Sequence, residues 1–104
     1  MSKFTDELRK RHEAQEERRI GDIYAECERR GCKHYLLTAF NARAENYPLK
    51  QARAFLELEE RSGGMKDKIR QYAIYIQVLI EKRPESGMIH EWEETLKLLK
   101  SNGY

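Results

Sequence analysis

A chain of 104 residues fits one domain, residues 1–104, and leaves no room for a second independent core. Its 20 Lys and Arg nearly cancel its 18 Asp and Glu, so the net charge of +2 gives none of the broad basic excess usual in a DNA-binding domain. No stretch approaches the ~20 consecutive apolar residues of a membrane span, which excludes a membrane-crossing helix.

The punctuation is Gly31, Pro48, Gly63-Gly64 and the run Pro84 to Gly87, and the segments between follow helical spacing. The first predicted helix runs from Ser2 or Thr5 to Arg30. Thr5 offers an N-cap, Asp6 and Glu7 favour the positive helix end, and Gly31 fits a left-handed stop. A second helix over Lys33 to Asn46 puts Leu36, Leu37, Phe40 and Ala44 on one face. Pro48 suits the first turn of a third, whose stripe is Leu49, Ala52, Phe55 and Leu56 and whose end is Ser62-Gly63-Gly64.

The fourth segment, Met65 to Arg83, is the most apolar, with Ile69, Tyr72, Ala73, Ile76, Leu79 and Ile80 on a shared face. Its β-branched middle, residues 73–80, has the composition of a buried strand. The stripe persists too long for an ordinary strand, however, and a lone strand would lack a partner. A fifth helix is expected over Glu85 to Lys100, with Met88, Ile89, Trp92, Leu96 and Leu99 at close to ideal spacing. The expected fold is all-α: a compact bundle of about five helices, built from a long N-terminal helix plus helical hairpins. Residues at tetratricopeptide offsets are absent.

Two places suggest surfaces for another protein. On one continuous helix, Phe4 and Leu8 project about 130° away from the stripe of Ile20, Ile23, Tyr24 and Cys27, at 100° per residue. Residues 1–18 therefore either bend back onto the domain or project as a helical arm whose Phe4 and Leu8 need a cover. On the fourth helix, Ile74, Tyr75 and Val78 lie opposite or beside the main stripe. A helix apolar nearly all round is usually central, and the competing reading makes these three a partner or subunit interface.

The chemistry-bearing residues do not form a familiar constellation. Cys27, Cys32 and His34 have a C-x4-C-x-H spacing that is not a common zinc pattern and lacks a fourth ligand; the plainer reading makes Cys27 a small buried hydrophobe and Cys32 a turn residue. A Cys27–Cys32 disulfide is not expected, because the separation exceeds one helical turn. The N-terminus, Met1 to Glu7, is too polar for an export signal, so cytoplasm and reduced thiols are the expectation. Arg11, Arg18 and Arg29 would align within about 20° on a continuous helix, with Lys33 beyond them, as a nucleic-acid footprint. Asp22 and Glu13, Glu16, Glu17, Glu26 and Glu28 are interleaved, and alternating signs along a helix usually mean a solvated face. Glycine-rich phosphate loops, H-E-x-x-H and G-x-S-x-G are all missing.

The expectation is a small, non-enzymatic regulatory or adaptor protein, without a cofactor, that binds another protein or a second copy of itself through Phe4, Leu8, Ile74, Tyr75 and Val78. Inhibitors and host-directed factors of phages and mobile elements include many short, charged helical chains of this type. Nucleic-acid binding through Arg11, Arg18, Arg29 and Lys33 is the alternative.

Overall fold

The computed structural model describes residues 21–44 and 46–104, and every regular element among them is helical. Residues 21–29 form α1, followed by α2 (His34–Ala44), α3 (Pro48–Ser62), α4 (Lys66–Lys82) and α5 (Ile89–Ser101). Phe4, Leu8, Arg11 and Arg18, and the question of a projecting arm at residues 1–18, lie outside the described residues.

The end of α1 shows how one glycine sets the geometry. Gly31 has φ +105°, a conformation that costs an L side chain strain. Its N–H donates to the Glu28 carbonyl (3.1 Å), and the Cys32 N–H donates to the Cys27 carbonyl (2.9 Å). These two bonds are the paired signature of a Schellman turn, which folds the chain back over the last helical turn. Cys32 therefore lands on Cys27, and both are buried. Across the next corner, Pro48 occupies the first turn of α3, where its missing N–H costs nothing.

Helix α4 is the centre. It packs against α2, α3 and α5, and Ile69, Tyr72, Tyr75, Ile76 and Val78 are completely buried. A helix surrounded by neighbours must be apolar on more than one face, and this accounts for the all-round pattern of the sequence. Around it, Leu36, Leu37, Phe40 and Ala44 of α2, Ala52 of α3, and Trp92 and Leu99 of α5 complete the core. Ile23 and Cys27 of α1 join the same cluster.

The polar ends of the large buried side chains all find acceptors, as a low-dielectric interior requires. The Tyr72 hydroxyl donates to the Pro48 carbonyl (3.0 Å), the Tyr75 hydroxyl to Asn41 Oδ1 (2.8 Å), and the Trp92 Nε1–H to the Ala44 carbonyl (2.9 Å). Ala44 is in the last turn of α2, where carbonyls lack an intrahelical donor, so Trp92 caps one helix while anchoring another. Gln71 is buried for a similar reason. Its Oε1 accepts the Lys33 N–H (2.8 Å) and its Nε2 donates to Asp67 (2.9 Å), fastening the α1–α2 connection to α4.

Two expectations are corrected. Tyr75 and Val78 are not a free face: both are wholly buried inside the chain, and Ile74, half-buried, packs against the same core. Tyr75 lies between Tyr24 and Phe40, with ring centroids 6.5 and 5.9 Å away. Helix α5 also begins about one turn later than the periodicity suggests. The Ser86 hydroxyl accepts the Met88 N–H (3.1 Å), and the first α-type bond runs from the Trp92 N–H to the Met88 carbonyl (2.9 Å). A hydroxyl that satisfies a nearby backbone N–H competes with helix, and Gly87 favours a turn.

Candidate functional site

The cysteine and histidine set does not converge. Cys27 and Cys32 are free thiols inside the core, and the Cys32 thiol donates to the Gln71 carbonyl (3.5 Å). Contact with Cys32 and burial together push the Cys27 thiol pKa well up, which disfavours a thiolate at Cys27 itself. His34 points elsewhere, with Nδ1 2.6 Å from Glu28 Oε1 on the exposed surface. Among the described residues, no group of three or more His, Cys, Asp and Glu could hold a metal ion.

The part of the basic footprint that is described is largely compensated. Arg29 lies 2.6 Å from Glu26, and Glu26 is shared with Arg30, which also reaches Glu81 on α4 at 2.6 Å. Hydrogen bonds from Arg29 and then Arg30 hold the Glu26 carboxyl at about 2, well below its usual range. Arg83 of the α4 end closes a second link to Asp22 of α1 at 3.0 Å. These pairs hold α1 against α4, an internal use of charge. The Lys33 side chain is exposed, while its backbone N–H is taken by Gln71.

Among the described residues, the surface opens into hollows at two places. The larger, about 460 Å³, lies where the α2–α3 corner meets the start of α5 and is lined by Tyr47, Pro48, Lys50, Arg53, His90 and Glu94 among others. Its charges are mixed, and the Lys50 ammonium stands 6.0 Å above the exposed Tyr47 ring. His90 and the neighbouring Glu91 and Glu94 are part of its lining. The smaller hollow, about 190 Å³, opens between α2 and α3 and is lined by Leu36, Ala39, Phe40, Arg43, Gln51, Phe55 and Lys68.

The smaller hollow follows from local sequence. On α2, Leu36, Ala39, Phe40 and Arg43 share a face at 100° per residue, and the methyl of Ala39 leaves space where a larger side chain would fill it. Phe55 of α3 meets Phe40 with ring centroids 6.3 Å apart, which floors the hollow with aromatic carbon. Leu58, about one turn after Phe55 on α3, is 47% exposed. At the corner end, Arg43 Nη1 donates to Gln51 Oε1 (2.9 Å), which fixes the guanidinium at the rim.

No family model, curated protein or solved structure matches this chain.

Sequence periodicity missed this hollow because it marks which residues turn inward, not where two helices diverge at their outer edge. The available signal was the small Ala39 between Leu36 and Phe40, together with Leu58 lying outside the main stripe of the third helix. Among the described residues, no helix is long and apolar enough to cross a membrane.

Proposed function

We propose that this chain is a small, non-catalytic adaptor or regulatory domain that works by binding another protein, and that the α2–α3 hollow is its docking face. The observation that carries the reading is an apolar hollow of about 190 Å³, floored by Phe40 and Phe55, open to solvent and held between two helices anchored in the core. Buried aromatic and aliphatic anchors seated in preformed hollows supply most of the energy in protein interfaces. Protein is favoured over nucleic acid because the described arginine of the basic stripe, Arg29, is paired with Glu26.

Ala39→Trp tests this by filling the hollow from an exposed position, and Thr38→Trp adds the same bulk on the opposite, exposed face of α2. A cellular protein crosslinked by the parent and by Thr38→Trp, and lost with Ala39→Trp, supports the reading. An identical set of crosslinked proteins for all three chains overturns it.

A further inference from the structure

We infer that the hollow selects an acidic segment of the partner, one that seats a single leucine- or phenylalanine-sized side chain between Arg43 and Lys68 and presents carboxylates to both. The inference rests on the docking face proposed above and specifies what that face accepts.

Charge is the deciding observation. None of the lining residues is acidic, yet the rim carries two cations from different helices. Arg43 belongs to the last turn of α2, and Lys68 to the first turn of α4. Five arginines of the described surface are answered from within the chain: Arg29 by Glu26, Arg30 by Glu26 and Glu81, Arg61 by Glu57, Arg70 by Asp67 and Arg83 by Asp22. Arg43 and Lys68 enter no ion pair among the described residues. The side-chain partner of Arg43 is the neutral Gln51 amide, which takes one of its five donors and leaves the fork able to receive a carboxylate.

An apolar floor between two cations that enter no ion pair among the described residues matches an anchor side chain flanked by Asp or Glu. A basic or neutral segment would bring the same anchor but meet repulsion or nothing at the rim. The larger hollow beside Tyr47 has no such preference, because Glu91 and Glu94 line it together with Lys50 and Arg53.

The test is selection from a random 12-residue peptide display library against the parent chain, with Ala39→Trp as counter-selection. Peptides that depend on the hollow are then synthesised and titrated by fluorescence polarisation. Enriched peptides are expected to be net acidic around one bulky apolar residue and to bind more weakly as salt rises. The double variant Arg43→Glu/Lys68→Glu, both exposed positions, is expected to bind them on the order of tenfold more weakly. Peptides with Lys in place of Glu should recover affinity on that variant.

Neutral or basic selected peptides, or equal affinity for the charge-reversed chain, overturn the acidic preference while leaving the docking face standing. Enrichment of no peptide sensitive to Ala39→Trp overturns the docking face and this inference with it. If sedimentation equilibrium shows a self-association that Ala39→Trp abolishes, the occupant is a second copy, and the acidic partner is overturned.

Discussion

Replacing Tyr75 by Ala discriminates between a core tyrosine and an interface tyrosine, because its neighbour in composition, Tyr35, sits at the opposite extreme. Tyr75 is 0% exposed and Tyr35 is 69% exposed. Tyr75→Ala removes a ring packed between Tyr24 and Phe40 and the hydroxyl that binds Asn41. Removing a fully buried aromatic side chain costs about 3–5 kcal/mol from a total stability of about 5–15. With a urea slope of about 2 kcal/mol per molar, the midpoint falls by about 2 M. Tyr75→Phe keeps the ring and loses one hydrogen bond, so about 1 kcal/mol and about 0.5 M are expected. Tyr35→Ala touches nothing of consequence and stays within about 0.5 kcal/mol. The sole tryptophan, Trp92, is buried and reports the transition by its own fluorescence. Equal midpoints for Tyr75→Ala and Tyr35→Ala would refute the placement of α4 at the centre.

Three further outcomes follow from particular contacts. Gly31→Ala places a side chain at φ +105°, and a loss of about 1 kcal/mol is expected by the same urea assay; an unchanged midpoint would argue against the Schellman turn. The Glu26 carboxyl is held at about 2 in the folded chain against a usual 4.5, so its contribution is complete above about pH 4.5 and is lost as pH falls towards 2. Glu81, drawn down by Arg30, acts in the same direction. Glu26→Gln should therefore flatten the fall in urea midpoint across that window, and a slope equal to the parent's would contradict the pairing. Cys27 and Cys32, both buried, should react with an aromatic disulfide reagent only at the rate of unfolding; immediate reaction of two thiols in the native protein would contradict the core assignment.

Much of the bundle was legible in the sequence where one physical rule acted alone. Leu36, Leu37, Phe40 and Ala44 were expected on one face and all four are buried. Pro48 opens α3, and Gly31 takes the left-handed conformation its position suggested. The apolar breadth of α4 indicated a central helix, and that reading, not the alternative of a free face at Tyr75 and Val78, describes the structure. What escaped depends on tertiary placement. Counting turns along a straight helix separated Cys27 from Cys32, whereas the reversal at Gly31 brings them together. Helical periodicity does not mark Gln71 for burial; its amide is satisfied only because the fold brings the Lys33 N–H and Asp67 to it. The hollow between α2 and α3 is a property of two helices at once, so neither helical pattern contains it.

The docking face can be mapped directly by titrating the ¹⁵N-labelled chain with a peptide selected on it and following backbone amide shifts. The expected changes cluster at Leu36, Ala39, Phe40, Arg43, Phe55 and Lys68, with saturation at one equivalent. Changes centred instead on Tyr47, Arg53 and His90, or spread along α4, would contradict the proposal that this chain binds through the α2–α3 hollow.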